Sequence, residues 1–217
     1  MTGLTMTGQE PELVGRVVRL EPLRAEHVPA LVLAAQGGAD LYRMTRVPAT
    51  DAEARAYVQS AIAARDAGTA APFAVVRLAD ESVIGSTRLW DLQWWPWPEG
   101  HPRHGRVCPD TCEIGHTWLA RSAIRTGANT EMKLLMLTCA FETWGVQSVC
   151  FHTDARNERS RAALSRIGAR YEGILRSHRL APDGQPRDSA RFSMTAAEWP
   201  AVRAHLAELS RDRALAS

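Results

Sequence analysis

The chain has 217 residues, of which 45% are hydrophobic and 23% are charged, as in an ordinary globular protein. Its formal net charge of +2 is too small to indicate binding to nucleic acid or to a membrane surface, and no run of about 18 apolar residues predicts a membrane-spanning helix. Residues 1–13 lack the basic region and apolar core of a secretion signal. We therefore expect a flexible N-terminus over 1–13 and one domain over 14–217, in the cytoplasm and with its cysteines reduced.

The first half of the chain predicts two helices among three strands. Alternating apolar residues predict a strand over 16–23, and helical spacing predicts helices over 24–36 and 52–68, the second capped by Thr50 or Asp51. Strands over 73–79 and 82–90 then predict a hairpin that turns at 80–81.

The second half begins with an irregular loop over 91–111, which contains four prolines and three tryptophans. Beyond the loop the pattern predicts strands over 112–119 and 146–154, helices over 131–145 and 157–168, a hairpin over 173–195 and a last helix over 196–212, which a Thr195–Glu198 capping box begins. Interleaved helices and strands without an internal repeat indicate one α+β domain.

The stretch RTGANT, residues 125–130, stands directly before the apolar helix over 131–145. A helix N-terminus presents unpaired N–H groups and about half a positive charge, and both suit a phosphate. Gly127 allows the backbone to approach a ligand closely, and Arg121 and Arg125 are placed to reach it. Because Thr and Asn are also ordinary caps, the residues alone leave capping and anion binding both open.

Two longer stretches resemble a known family. EIGHTWLARSAIRTGANTEMKLLMLTCAFE, from Glu113 onward, resembles motif A of the GNAT-fold N-acetyltransferases. TDARNERSRAALSRIGARYEGILR, residues 153–176, resembles the motif B region of the branch that contains the ribosomal-protein acetyltransferases RimJ and RimL. The similarity extends from about Val14 through the last hairpin. It implies an α+β GNAT fold, in which helices flank a mixed central sheet with splayed central strands.

The resemblance also implies an acetyl-CoA site. The turn over 121–130 would hold the diphosphate through Arg121, Arg125, Thr126, Gly127, Ala128, Asn129 and Thr130. The pantetheine arm would lie between the strands 112–119 and 146–154, where Asn157 would bond it and Ser160 would lie near the thioester sulfur as a proton donor. The family's turn usually reads Gly-x-Gly, and Arg125 replaces its first glycine. This loss of freedom to adopt a positive φ either restricts the turn or adds a charged contact to phosphate.

Acetyl transfer to an amine needs a proton acceptor, and Glu113 is the first candidate for it, directly or through water. The alternative for Glu113 is a structural ion pair with one of the many arginines. In a regular strand His116 would face away from Glu113, whereas His152 on the next strand is the second candidate base. Asp154 shares the face of His152, and Asp188 is interpreted as structural or substrate-facing.

The loop over 91–111 is the candidate substrate side. Its tryptophans either wall an acceptor pocket or cover a sheet edge; they are Trp94, Trp95 and Trp97. Four residues in and after the loop also have the spacing of a conceivable zinc site, namely His101, His104, Cys108 and Cys112. Because this spacing matches no familiar zinc module, we expect no metal.

The sequence therefore predicts an N-acetyltransferase with acetyl-CoA as co-substrate and no metal. The expected acceptor is a primary amine, with a protein or peptide N-terminal α-amine ahead of a small-molecule amine or antibiotic. The alternatives are a non-catalytic acyl-CoA-binding module and a zinc-stabilised interaction protein. The exposed hairpins offer edges through which a homodimer can form.

Overall fold

The computed structural model describes residues 12–38 and 40–214. Most of the predicted flexible N-terminus, residues 1–11, lies outside the described residues, but Leu13 already belongs to a strand. No helix in the described ranges combines the length and the apolar character needed to cross a bilayer.

The described residues form one sheet of eight strands. In chain order they are β1 (Leu13–Val14), β2 (Val18–Pro22), β3 (Ala70–Arg77), β4 (Ser82–Gln93), β5 (Thr111–Leu119), β6 (Ser148–Asp154), β7 (Arg170–Leu180) and β8 (Pro186–Thr195). Their order across the sheet is β1-β2-β3-β4-β5-β6-β8-β7. All neighbours are antiparallel except β5 and β6, which run parallel. This confirms the predicted mixed sheet.

Five α-helices flank the sheet: α1 (Val28–Ala35), α2 (Asp51–Asp66), α3 (Ala128–Thr138), α4 (Glu158–Arg166) and α5 (Trp199–Ala214). Helices α1 and α2 bury their apolar residues with Trp118 and Ala74 of the sheet, on the face that we call the front. Helices α3 and α5 pack on the opposite face, the back, where Met132 and Leu206 belong to the larger core cluster. The sheet is therefore the middle layer of three.

The central strands β5 and β6 separate soon after they meet. They pair at only three positions, the last of which joins Glu113 to Cys150. Beyond this pair β5 continues to Leu119 and β6 to Asp154, without a ladder between them. The predicted splay of the central strands is thereby confirmed, and it leaves backbone groups of both strands facing a gap.

A β-bulge distorts β5 at the same level. Ser86 of β4 pairs with Trp118 and Arg88 pairs with Gly115, so that Thr87 alone opposes two residues of β5, His116 and Thr117. His116 has a φ of 50°, as expected of an extra residue that cannot continue the pleat. The strand is therefore not regular between Glu113 and Trp118.

Several element ends differ from the sequence prediction. Helix α3 begins at Ala128 instead of 131, because Gly127 takes a φ of 89° as its N-cap and starts the helix earlier. After Thr138 the helix continues as a π-helical turn, Cys139–Thr143. The cap of α2 is Thr50, which forms a capping box with Glu53.

Candidate active site

The turn before α3 has free hydrogen-bond donors. The backbone N–H groups of Arg125, Thr126, Gly127 and Asn129 have no hydrogen-bond partner among the described residues. The Thr126 hydroxyl donates to the carbonyl of Ala123 at 2.8 Å and accepts a long bond of 3.4 Å from the N–H of Ala128. The turn is thus a cap and, at the same time, an arrangement of donors that suits an anion.

Arg125 adopts a positive φ, although it replaces the glycine that the family usually has at this position. Its φ is 66°, although the residue is not glycine, and its side chain is exposed. Such a backbone costs a non-glycine residue about 1–2 kcal/mol. The turn therefore keeps the geometry that a glycine would give it, and the loss of the glycine does not restrict its shape.

Two other residues of the turn are engaged elsewhere. Arg121 donates to the carbonyl of Gly37 at 2.7 Å and forms an ion pair with Asp40. The buried hydroxyl of Thr130 accepts a hydrogen bond of 3.2 Å from Arg166. Arg121 would have to leave Asp40 to reach a diphosphate, so that the backbone donors are the better placed groups.

The start of α4 lies beyond the end of β6. Asn157 is the N-cap of α4, and its side-chain oxygen accepts from the N–H of Ser160 at 3.0 Å. Both residues are half-buried. The Ser160 hydroxyl has no hydrogen-bond partner in the described part of the chain, so it is free to donate to a ligand.

Glu113 lies at the last pair of β5 and β6 and is only 1% exposed. Its carboxylate accepts hydrogen bonds from both terminal nitrogens of Arg179, at 3.1 and 2.7 Å, and from His152 Nδ1 at 2.9 Å. Burial alone would raise the pKa of Glu113, but the bonds from His152 and Arg179 outweigh it and lower the pKa to about 2. A carboxylate with so low a pKa is a weak proton acceptor at neutral pH.

His152 uses one ring nitrogen for Glu113 and leaves the other free. Its Nε2 is buried without a hydrogen-bond partner, and its ring lies 4.7 Å from the ring of His178 on β7. Because Nδ1 faces a carboxylate that remains ionised, Nδ1 carries the proton and Nε2 has the free lone pair in the neutral ring. This is the arrangement by which a carboxylate orients an imidazole base.

A bulge in β7 places His178 and Arg179. Leu175 pairs with Ser189 and Arg179 pairs with Arg187, so that four residues along β7 match two along β8. Ser177 within the bulge has a φ of 46°, and its N–H donates to Asp188 Oδ1 at 2.8 Å. Asp188 thus has a structural contact here, because it holds the bulge that brings Arg179 to Glu113.

The bulge in β5 brings His116 to the side of Glu113. The His116 ring packs edge-on against Trp90 with their centroids 4.7 Å apart, and Trp90 pairs with Glu113 across the strands. The Arg179 guanidinium lies 4.5 Å from the centroid of the same Trp90 ring. The expectation for a regular strand, which put His116 and Glu113 on opposite faces, therefore does not apply to this one.

Lys133 of α3 reaches the gap from the back face. It is 6% exposed, and its Nζ donates to Thr117 Oγ1 of β5 at 3.0 Å and lies 5.6 Å from the ring of Phe151 on β6. Burial lowers the pKa of Lys133 to about 7. Sequence reasoning did not identify Lys133, although it is the only lysine among 26 basic residues.

The tryptophan-rich loop is organised around buried Asp110. The Asp110 carboxylate accepts from the backbone N–H of Trp95 and from Nε1 of Trp97, each at 2.8 Å, and from Arg103 at 3.3 Å. Trp94 and Trp95 remain exposed. The loop connects β4 to the start of β5, at the end of β5 opposite to the turn 125–130, so its exposed rings lie at the end of the strand that carries Glu113.

The conceivable zinc ligands of the loop do not converge. His101 stacks on Trp97 and its Nδ1 accepts from the N–H of Arg103, whereas His104 Nδ1 donates to the carbonyl of Trp97. Cys108 and Cys112 are free thiols and belong to no cluster of three potential metal ligands in the described ranges.

Another group of three potential metal ligands includes Glu113, which is paired with Arg179. Its other two members are Cys150 and His152. These side chains fit a metal poorly, because Arg179 already occupies both carboxylate oxygens. Burial also raises the pKa of the Cys150 thiol to about 12, which keeps it protonated and unsuited to bind a metal as thiolate.

Comparisons with known proteins agree on the fold. The sequence profile of the acetyltransferase (GNAT) domain matches residues 18–170. A GCN5-related N-acetyltransferase from Brucella melitensis is 28% identical over 94% of this chain and 86% of its own, with a TM-score of 0.79. A comparison with curated protein sequences gives no significant match.

Two ribosomal-protein-type acetyltransferases are among the solved structures that share the fold. RimJ from Mycobacterium smegmatis, solved in complex with CoA-disulfide, is 20% identical over 92% of each chain, with a TM-score of 0.74. RimL, described as a ribosomal L7/L12 α-N-protein acetyltransferase and solved with coenzyme A, is 18% identical over 85% of this chain and 98% of its own, with a TM-score of 0.67. Since the domain match alone spans well over half of the chain, the protein belongs to the GNAT family of acetyl-CoA-dependent acetyltransferases.

Proposed function

We propose that the protein acetylates the N-terminal α-amine of a peptide or protein. The observation that carries the proposal is the gap between β5 and β6, which has the unpaired donors of the turn 125–130 at one end and the Glu113–His152 pair at the other. The fold resembles those of RimJ and of RimL, and RimL is an α-N-protein acetyltransferase. This likeness supports the acceptor class. A small-molecule amine and a non-catalytic module remain the alternatives.

The residues that face the gap fit acetyl-CoA, which supplies an acetyl group activated as a thioester. In the proposal the N–H groups of Arg125, Thr126, Gly127 and Asn129 hold its diphosphate, because they are unpaired and lie at a helix N-terminus. The backbone of β5 beyond Glu113 offers ladder groups to the pantetheine arm. Asn157 bonds this arm.

Three side chains can hold a proton near the departing sulfur. The Ser160 hydroxyl has no partner in the described part of the chain, and the Lys133 ammonium uses one of its three donors for Thr117. In the proposal Ser160 donates to the sulfur and Lys133 places positive charge below the gap. Glu113 keeps a catalytic part by orienting the third group, His152, and not by accepting the proton itself.

The demand for a base is small for this acceptor. An α-amine with a pKa of about 8 costs about 1.4 kcal/mol to deprotonate at pH 7, whereas a lysine amine with a pKa of about 10.4 costs about 4.6 kcal/mol. His152 Nε2 is the proposed proton acceptor, since its lone pair has no protein partner and Glu113 fixes its tautomer. The proposal places this chemistry in the cytoplasm.

Acetyl-CoA binding is tested first by calorimetric titration. We expect micromolar affinity in the wild type and its loss in Gly127→Trp, which fills the turn and is strained by the positive φ. Thiol release is then compared for a peptide with a free N-terminus and for the same peptide with a blocked N-terminus and one lysine. Turnover of the blocked peptide alone would contradict the α-amine proposal, and binding without turnover of any amine would favour the non-catalytic module.

The base is tested with Glu113→Gln, His152→Asn and the double variant. If the two residues act as one unit, each single change lowers kcat about 10²–10³-fold and the double variant is no slower than the singles. Glu172→Gln is the matched control, because Glu172 is also an ion-paired carboxylate, bound to Arg191 at 2.6 Å, but lies outside the cluster. Full activity of His152→Asn would exclude this base.

A further inference from the structure

Arg88 of β4 is a buried cation without an anionic partner. It is 6% exposed, its Nε is buried without a hydrogen bond, and it forms no ion pair with any residue that the structure describes. Its guanidinium stacks on the ring of Tyr57 at 4.6 Å from the centroid. A buried charge is costly unless it is paired. By contrast, Arg77 on the neighbouring strand β3 binds both Asp80 and Ser82.

Arg88 faces a cavity of about 310 Å³ between the end of α2 and β4. The wall of the cavity includes Ala64 and Thr69 on one side and Trp90 and Gln93 on the other. Asp91 also lines the cavity, but its carboxylate accepts from Gln93 Nε2 at 2.7 Å and forms no ion pair with Arg88. The unpaired guanidinium is therefore available to a ligand that enters the cavity.

The cavity adjoins the candidate active site through Trp90. This residue lines the cavity and also contacts His116 and Arg179 of the front face. Arg88 pairs with Gly115 and Trp90 pairs with Glu113, so that Arg88 lies two residues, or roughly 7 Å, along the strand from the level of Glu113. This distance suits a second group on a molecule whose amine reacts beside Glu113.

We propose that Arg88 binds a carboxylate of the acceptor, and that the enzyme prefers peptides with an acidic residue at the first position. A planar guanidinium binds a carboxylate through two parallel hydrogen bonds. A site with a buried polar group also rejects the analogue that lacks the matching group, because that analogue leaves the group unpaired. The inference rests on the proposed acetylation of N-terminal amines and names the substrate class of that site.

The test compares matched acceptors with the wild-type enzyme and acetyl-CoA. One pair of peptides has Glu or Gln at the first position and is otherwise identical; a second pair is β-alanine and β-alaninamide. We expect the Glu peptide to have a kcat/KM at least tenfold higher than the Gln peptide. In Arg88→Gln this ratio should fall to about one, in Arg88→Lys to an intermediate value, and in the control Arg77→Gln it should stay as in the wild type.

The outcomes separate the inference from the proposed function. Equal turnover of both peptides by the wild type, or a preference that survives in Arg88→Gln, would overturn the role of Arg88 and leave N-terminal acetylation standing. An Arg88-dependent preference seen only for β-alanine over β-alaninamide would support the carboxylate site and overturn the peptide acceptor. The wild-type comparison does not depend on the folding of any variant.

Discussion

At Arg125 the backbone conformation favours glycine, whereas a contact with phosphate would need the arginine side chain. Its φ of 66° suits glycine, so the native turn stores conformational energy there. Replacement by glycine removes a cost of about 1–2 kcal/mol but makes the unfolded chain more flexible. We expect Arg125→Gly to raise the free energy of unfolding by about 0.5–1 kcal/mol in urea titrations. A destabilised variant would show that the Arg125 side chain contributes more than the strain removes.

The same variant also tests the part of Arg125 in cofactor binding. If its exposed guanidinium contacts a phosphate, the Kd for CoA should rise in Arg125→Gly although the protein is more stable. An unchanged Kd would leave the binding to the backbone donors alone. Arg121→Gln serves as the comparison, since Arg121 is bound to Gly37 and Asp40 and should affect the Kd less.

At the residue scale, the sequence indicated Glu113 but not its surroundings. The partners that lower its pKa come from strands far along the chain, His152 from 39 residues and Arg179 from 66 residues away. No local pattern connects residues at such separations, and the sequence could offer only one of many arginines as the structural alternative. In the structure one hydrogen bond joins the two candidate bases, Glu113 and His152. The two residues therefore have to be tested as a pair and not as alternatives.

At the scale of the element, helix α3 buries Lys133, whose ammonium forms no ion pair with any residue that the structure describes. Burial lowers the pKa of Lys133 from 10.5 to about 7. Between about pH 7 and 10 the unfolded state binds more protons than the native state, so this residue makes stability rise with pH across that window. We expect Lys133→Met to be more stable than the wild type by a few kcal/mol at pH 6, with a difference that shrinks towards pH 10.

Urea unfolding of both proteins at pH 6, 8 and 9.5 checks this expectation. The difference between the two proteins is the quantity to follow, because the buried thiols of Cys139 and Cys150, whose pKa values burial raises to about 12, lower stability at alkaline pH in both. A difference that does not change with pH would mean that Lys133 titrates as it does in water.

The elements themselves could be predicted better than their irregularities. Alternation and helical spacing predicted the strands and helices from β2 onward in the right order, since the apolar residues that create these patterns also form the core, whereas β1 was not predicted. The bulge at His116, the bulge at Ser177 and the π-helical turn Cys139–Thr143 left no such signal. The two bulges depend on how their strands pair with β4 and β8, so the local sequence of each bulge does not determine it.

At the scale of the whole molecule, one side chain connects the start of the chain to the helix that carries the turn. Glu131 of α3 is 4% exposed and accepts hydrogen bonds from the backbone N–H groups of Arg16, Val17 and Val18 at 2.9, 2.6 and 2.8 Å. A Cβ on Gly15 would lie 2.5 Å from the Glu131 carboxyl carbon, so only glycine allows this approach. The sequence showed Glu131 merely as a polar residue in an apolar helix.

Glu131→Gln should therefore weaken the whole fold. An amide has one acceptor oxygen and a poorly placed donor for three N–H groups, and we expect a loss of about 2–4 kcal/mol in the free energy of unfolding. Glu53→Gln is the control, because Glu53 also accepts backbone N–H groups, at Ala49 and Thr50, but is exposed and should matter less. In Glu131→Gln the backbone N–H groups of residues 16–18 should lose their protection from hydrogen exchange before those of the other strands do. If Glu131→Gln is as stable as Glu53→Gln, the first strands hold to the sheet by their ladder alone, and α3 needs no contact with the start of the chain to present its turn.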